Sequence, residues 1–577
     1  MIFGQGSAAH AAGKTAARTA AQGRDRPDGL LGAVAGQART AMGPGSGEGA
    51  GMGIAGTALS GPAALAAGLL AIWAALAVVT LSMGGLTIDM HEGDALHMAA
   101  IVLRMAEGEW PHLDFMTPIG VGAMAPIAGF VSAGAGVGHA FLLSQAAIAA
   151  ALLPALWWVG VTRLGGGRLA LGFGALAITL CMALVYGGAD TDVSVSMHYN
   201  RWAWAIAWIL LAALLVPADR SAPRLDGAMI GAGLGALALI KITYFAAVAP
   251  VALLALVLRR QGRALGWAAA TGLGVAGVVT ALAGPGFWPA YLGDLAAVAA
   301  SETRPRPGLR LAGILGAPTH LAATLTLLGA VVVLRRTGRE TEGLILLAAA
   351  PGLVLITWQN FGNDPQWLPL LAVALLALRP LDRGAQAYLS VALVAGALAL
   401  PSTVNLASSI SRLERVAPET SVPLLTGRPV HADLRVKTER QETVLQREPS
   451  PRFAPDVAPT FWGTELPACQ MVAGGTRVLA TMADEVAAAG FAGRAALLAD
   501  QIQPIWLMGD LGRLEGGAPW YYGGLPGLAS AEIVVVPLCP LRTAARKEVI
   551  DALAASGTRV REAFRGRHAI VLEIVRG

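Results

Sequence analysis

Apolar runs long enough to cross a bilayer recur through the first 400 or so residues, and they leave few folds open to the chain. The first extends from Gly61 to about Met83, where every residue is apolar or small, enough for a helix through a hydrocarbon layer of roughly 30 Å. Others follow at about 139–161, 169–187, 200–217, 227–241, 243–258, 264–283, 309–334, 342–358, 366–379 and 386–402. With 55% of residues apolar and only 14% charged, the composition lies outside the soluble globular range and matches a polytopic membrane protein. The formal charge of +5 is small for 577 residues, and the arginines sit in short loops between the runs. That is a topology signal, and it argues against nucleic acid as a partner.

The loops carry arginine in alternation: Arg163 and Arg168; Arg220 and Arg224; Arg259, Arg260 and Arg263; Arg335, Arg336 and Arg339; Arg379 and Arg383. Placing them all in the cytoplasm satisfies the positive-inside rule, provided that Pro118 to about Gly136 forms a re-entrant or interfacial helix. The expected fold is therefore a polytopic α-helical membrane protein of about eleven transmembrane helices over residues 61–402, set in a bacterial inner membrane. Residues 1–60 are rich in Gly, Ala, Ser and Thr, with Lys14, Arg18, Arg24, Arg26 and Arg39, and read as a disordered cytoplasmic leader.

Residues 403–577 change character and read as an extracytoplasmic α/β domain. Its expected elements are a strand at Arg477–Thr481, a helix at Ala483–Ala489, a buried strand at Ala531–Val536, a helix at Ala544–Ser556 and a hairpin over Arg559–Val575 turning near Gly566. It lacks the glycine-rich loop of a nucleotide site. Cys469 and Cys539 lie here, either as a disulfide or as two buried thiols, and no Cys/His spacing suggests zinc or iron–sulfur.

This topology puts nearly every polar group outside the arginine loops on the outer face. The densest cluster follows the first span, in a first external loop over residues 84–138: Asp89, His91, Glu92, Asp94 and His97, then Gly108-Glu109-Trp110-Pro111-His112-Leu113-Asp114-Phe115. Further outward-facing groups are His198, Asn200 and Arg201; Lys241 and Tyr244 at a tight turn; Arg304 and Arg306; and Gln359, Asn360 and Asp364. Ionisable groups at membrane depth are costly and mark function.

The Asp89-x-His91-Glu92-Gly93 stretch, a short helix and then Gly108-x-x-Pro111-x-x-Asp114-Phe115, placed directly after the first span, resembles the first external loop of the GT-C superfamily of membrane glycosyltransferases. Protein O-mannosyltransferases and lipid A aminoarabinose transferases belong to that superfamily. In the commoner bacterial pattern the two acids are adjacent, whereas here His91 precedes Glu92 and the other acid is Asp89, so either is the catalytic acid by this resemblance. The resemblance implies a GT-C-like membrane domain with an external C-terminal domain. It also implies an inverting transfer of a sugar from a polyprenyl-phosphate carrier to an envelope glycan, lipid or protein at the outer face.

The chemistry is compatible with these residues. Inverting transfer to a hydroxyl needs a carboxylate within reach of the acceptor proton, and the leaving phosphate needs cations to hold its developing charge. Asp89 or Glu92 supplies the first; Arg201, Lys241, Arg304 and Arg306 are candidates for the second; His91, Asp114, His198, Asn200, Tyr244, Gln359, Asn360 and Asp364 are candidates to line the substrate site. Plainer roles compete with these. Asp89 caps the helix near Glu92, Glu92 is a solvated first-turn acid, Asp114 fixes the loop before Pro118, and Arg201 and Lys241 anchor at the interface beside aromatic residues. A divalent metal at Asp89, His91 and Glu92 is a further reading, though no repeated ligand spacing supports it. The rival functions are a transporter or lipid flippase, against which stands the absence of a clear internal repeat, and a non-catalytic assembly or sensor protein.

Overall fold

The computed structural model describes residues 61–220, 222–301, 311–359, 364–382, 384–447, 460–461 and 464–576. The expected leader, Arg304, Arg306, Asn360 and Arg383 lie outside the described residues.

Helix α1 (Pro62–Leu81) is followed by strand β1 (Leu86–Ile88), helix α2 (Glu92–Ala106) and helix α3 (Val121–Ser132). The bundle continues with α4 (Val137–Arg163), α5 (Arg168–Met182), a hairpin of β2 (Val185–Gly187) and β3 (Asp190–Val193), α6 (His198–Leu215), α7 (Pro223–Ile240), α8 (Ile242–Leu258), α9 (Gly262–Ala283) and α10 (Phe287–Ala300). After α11 (Leu311–Gly316) come α12 (Pro318–Arg336), α13 (Glu340–Gln359), α14 (Leu368–Leu378) and α15 (Ala385–Arg412). Seven of these, α1, α4, α7, α9, α12, α13 and α15, are long and apolar enough to cross a membrane, and α3, α5, α8 and α14 are shorter apolar helices.

The apolar runs thus reappear as helices, with three changes of extent. The run at 169–187 stops as a helix at Met182 because its end pairs as β2. The run at 309–334 divides at Ala317, since Pro318 is confined to the first turn of a new helix. The last helix carries on past residue 402 to Arg412, absorbing Pro401. Segment α3 has 12 residues, about 18 Å, too short to cross, and it is packed among α2, α4 and α7. On α7, Gly227 and Gly231 lie one turn apart, and a Cβ on either would sit 2.3 and 2.2 Å from the carbonyls of Ala264 and Ala268 on α9. Small residues at this spacing let the two backbones touch.

The C-terminal part holds β4 (Ser421–Pro423), β5 (Leu434–Lys437), α16 (Thr438–Glu442), β6 (Leu445–Arg447), β7 (Thr460–Phe461), β8 (Thr464–Glu465), β9 (Gln470–Ala473), α17 (Gly475–Val486), β10 (Ala496–Leu498), β11 (Ile533–Pro537), α18 (Thr543–Ala555), β12 (Val560–Arg565) and β13 (Ala569–Ile574). Its main sheet runs β10-β11-β13-β12, with β10 and β11 parallel and the rest antiparallel. Strand β11 is buried throughout: Ile533 and Val535 share one core with Leu479, Met482 and Val486 of α17, while Val534 and Val536 share another with Val549 and Leu553 of α18. The expected strand at Arg477–Thr481 is part of α17. Leu479, Met482, Ala483 and Val486 are buried at the i, i+3, i+4, i+7 spacing, so the helical period prevails over a short apolar stretch.

A strand pairing and a helix cap are among the contacts that join this domain to the helical bundle. Strand β1 from the first loop pairs in parallel with β5, Leu86 opposite Leu434 and Ile88 opposite Val436, in a sheet ordered β1-β5-β4. Asp433 accepts a hydrogen bond from the backbone N–H of His139 at 2.7 Å and so caps the start of α4 from far along the chain. Gly136 and Gly138 make room for it, because a Cβ on either would sit 2.3 Å from Asp433 atoms. Cys469 and Cys539 form a disulfide with Cα atoms 4.9 Å apart.

Candidate active site

The polar groups gather where the first loop, the β2–β3 hairpin, the start of α6 and the α7–α8 junction meet. The hairpin is held from α15: Asn405 donates to the carbonyls of Asp190 (2.6 Å) and Gly188 (3.2 Å), and the Ser409 hydroxyl accepts from the N–H of Leu184. Helix α6 opens in the polar sequence His198-Tyr199-Asn200-Arg201 before turning apolar, so its first turn carries donors into an otherwise buried place.

Arg201 is completely buried. Its Nη2 donates to the carbonyls of Val185 (3.1 Å) and Tyr186 (2.7 Å), while Nε and Nη1 have no partner among the described residues. Two more buried donors nearby are likewise without partners, the Trp204 indole N–H and the Tyr244 hydroxyl, whose rings meet edge to face at 5.3 Å. The Lys241 ammonium donates to Asn200 at 2.7 Å and lies 5.3 and 5.9 Å from the ring centres of Tyr199 and Tyr244. Asp364, Tyr244 and Tyr186 are the groups whose charge reaches Arg201. Four residues singled out from the sequence, Arg201, Lys241, Asn200 and Tyr244, therefore converge, with Asp364 nearby. Gln359 accepts from Thr243 at 3.1 Å at the edge of this group.

The first-loop acids are differently placed. Asp89 does not cap α2: its Oδ2 accepts from the N–H of Val193 at 2.8 Å, and its Oδ1 pairs with Lys437 at 2.8 Å. The residue before α2 is His91, in the left-handed region at φ 62°, with Nδ1 3.2 Å from the Ser194 hydroxyl and its ring 4.5 Å from that of Tyr186. Glu92 is gripped by the Arg440 guanidinium through both carboxylate oxygens, at 2.5 and 3.0 Å. Among the described residues no group of three or more His, Cys, Asp or Glu converges as a metal site, so Asp89, His91 and Glu92 are arranged toward other partners.

Burial and charge tune the loop further. Burial holds the His91 imidazole below its ordinary value, and it pushes His97 down to about 4, with the Asp94 charge opposing both. Burial raises the Tyr186 hydroxyl, and Asp94 and Asp190 add to the effect. Asp192 is held above the usual carboxylate range by burial and by Asp190 and Asp89.

Two expected substrate groups have structural places. His198 is fully buried, with Nδ1 and Nε2 at 2.9 and 3.1 Å from the carbonyls of Val195 and Ala123 and its ring against Phe141 and Trp202, so it is a core residue. Asp114 accepts from the N–H of Trp110 at 2.6 Å and closes its own loop. Sequence reasoning missed Tyr186, Trp204, Lys437 and Arg440. Trp204 is one of the aromatic residues beside Arg201 that the sequence offers as an interfacial anchor, and the two cations lie about 350 residues from the acids they meet.

A groove of about 460 Å³ runs between α7, α8, α9 and α10, lined among others by Gly231, Gly235, Ala238, Ile242, Phe245 and Leu253. Its lining is almost wholly apolar and includes Leu239 and Ile242, close to Lys241 along the chain.

No protein-family model and no curated protein matches the chain. Among solved structures it is similar to the crystal structure of ArnT from Cupriavidus metallidurans bound to undecaprenyl phosphate, with 12% sequence identity, a TM-score of 0.40, and coverage of 87% of this chain and 97% of that one.

Proposed function

We propose that the protein is an inverting membrane glycosyltransferase that takes a sugar from a polyprenyl-phosphate carrier and passes it to a hydroxyl of an envelope glycan, lipid or protein at the outer face. The observation that carries this reading is the buried Arg201 guanidinium with two unpartnered nitrogens beside the unpartnered donors of Trp204 and Tyr244. An isolated buried cation is costly, and an anion that accepts several hydrogen bonds offsets the cost. A phosphate on a lipid meets that need, Lys241 adds a second cation, and the apolar groove beside it suits an isoprenoid chain. The first-loop motif supplies the carboxylates, with Asp89 and Glu92 the acids named by the GT-C resemblance.

In the reaction, the acceptor oxygen bonds to the anomeric carbon while the bond from that carbon to the phosphate oxygen breaks. The electron pair stays on the phosphate, held by Arg201 and Lys241, and the hydroxyl proton passes to a first-loop carboxylate. The Cys469–Cys539 disulfide supports an extracytoplasmic C-terminal domain, because such bonds persist in oxidising compartments. The first loop, paired to that domain through β1 and β5, then faces outward too.

The test is release of free polyprenyl phosphate by the purified protein from a panel of polyprenyl-phosphate monosaccharides mixed with envelope extract. Wild type is expected to release carrier from at least one donor, and Arg201→Gln to lose both release and binding of polyprenyl phosphate. A folded wild type that binds lipid and consumes no donor directs attention to the transporter reading.

A further inference from the structure

Three acids crowd the start of α2, and described residues of the C-terminal domain pair with Asp89 and Glu92. Lys437, at the end of β5, meets Asp89 at 2.8 Å and Glu414 at 3.3 Å; Arg440, three residues later in α16, takes both oxygens of Glu92. The hydrogen bond to Asp89 is the largest influence raising the Lys437 ammonium, and the one to Glu92 does the same for Arg440. The same domain grips the far end of α2, where Arg513 pairs with Glu107 and Glu109, and Arg104 donates to the carbonyl of Leu514 at 2.7 Å. Between the two grips Ile502 presses on Gly93, where a Cβ would lie only 2.3 Å from its Cδ1. One side of α2 is thus the seat of the C-terminal domain.

Asp94 lies elsewhere on the helix. Two residues beyond Glu92 is about 200° around the axis, so a helix that turns Glu92 toward Arg440 turns Asp94 away from it. Asp94 is half-buried there, and its charge acts on His91, His97 and Tyr186. Tyr186 is the bridge to the buried cation: its ring lies tilted against His91, centres 4.5 Å apart, and its carbonyl accepts from Arg201 at 2.7 Å. The Asp94 charge and the Arg201 guanidinium thus both act on Tyr186, which brings to one residue the two kinds of group an inverting transfer needs, a base for the acceptor and a cation for the leaving phosphate.

We propose that Asp94 is the catalytic base, and that Asp89 and Glu92 are the anchor by which the positioning residues Lys437 and Arg440 of the C-terminal domain hold α2 in register with the cations of α6 and α7. This inference rests on the transferase reading. Asp94 takes the acceptor hydroxyl proton as the oxygen bonds to the anomeric carbon, and the carbon–phosphate-oxygen bond breaks with its electrons to the phosphate.

The experiment uses the full-length protein, the polyprenyl-phosphate monosaccharide panel and envelope extract. Carrier release and melting temperature are read for Asp94→Asn, Asp89→Asn and Glu92→Gln, and for the swaps Asp89→Lys with Lys437→Asp and Glu92→Arg with Arg440→Glu. Asp94→Asn is expected to lower kcat about 10²- to 10⁴-fold, with donor KM and melting unchanged and the acid limb of the pH profile lost. The Asp89 and Glu92 single changes are expected to lower melting and raise KM, and each swap to recover both. Asp94→Asn turning over within tenfold of an active wild type overturns the proposal alone. So does Asp89→Asn or Glu92→Gln abolishing kcat without a change in melting and without recovery in the swap. A wild type that releases carrier from no donor overturns the transferase reading, and the role of Asp94 with it.

Discussion

The two ends of the helical bundle both bury cations and treat them in opposite ways. At one end Arg163 meets Asp226 at 2.8 Å, with the Trp158 indole on the same carboxylate, and Arg259 meets Glu342 at 3.1 Å while donating to the carbonyl of Leu215. These pairs tie α4 to α7 and α8 to α13. At the other end Arg201 is buried more deeply and meets no carboxylate among the described residues, only two backbone carbonyls. A cation with its counter-ion inside the fold serves the fold. One with two of its three nitrogens left without an acceptor among the described residues is a cost that a bound anion offsets, and that end is where the hairpin, the aromatic donors and the first-loop acids also collect.

The sharpest way to break this contrast is to remove one cation from each end. Arg163→Ala leaves the buried Asp226 without its cation and is expected to destabilise the protein by about 3–5 kcal/mol. Thermal unfolding of the purified protein reads the loss, and activity per folded molecule should persist. Arg201→Gln is expected to melt close to wild type and to lower carrier release about 10²- to 10³-fold, the scale of a lost charge-stabilising donor. If Arg201→Gln melts as low as Arg163→Ala and still binds polyprenyl phosphate, the two ends are alike and the distinction fails.

The junction with the C-terminal domain sharpens the comparison by pH. His97 is buried against Trp520, ring centres 5.4 Å apart, with its value lowered to about 4 from 6.5. Between those values the unfolded chain holds a proton that the folded chain does not. The contribution to stability is therefore complete above pH 6.5 and is lost as pH falls toward 4, by about 3 kcal/mol. His97→Gln is expected to flatten that part of the melting-versus-pH curve, and an unchanged curve assigns the acid lability elsewhere. The smallest effect is expected at the cap of α4. Asp433→Ala removes an acceptor from a helix start and should cost about 1 kcal/mol in melting, with carrier release nearly unaffected.

Much of the bundle is legible in the amino-acid sequence, because a run such as 61–83 or 264–283 announces itself by local composition alone. The closing hairpin at 560–574 and the helix beginning at Glu92 are legible for the same reason, a local pattern with a local cause. The α17 helix is misread where the window is too short, since Arg477–Thr481 shows its period only together with Met482, Ala483 and Val486. Of the site, the convergence of Arg201, Lys241, Asn200 and Tyr244 follows from placing polar groups on one face. The burial of His198 does not follow, because nothing in its neighbourhood along the chain shows that Ala123 and Phe141 close over it.

What the sequence determined by itself is that the chain enters the membrane many times and that acids and cations meet at one face. Transfer of apolar side chains out of water is a property of each segment, so that information is local. Only the tertiary structure decided which acid faces which cation. The partners of Asp89 and Glu92 are Lys437 and Arg440, the cap of α4 is Asp433, and the neighbour of Gly93 is Ile502. Pairings across hundreds of residues leave no periodic trace along the chain, because they arise only when β1 and β5 have come together and the helices beneath them have packed.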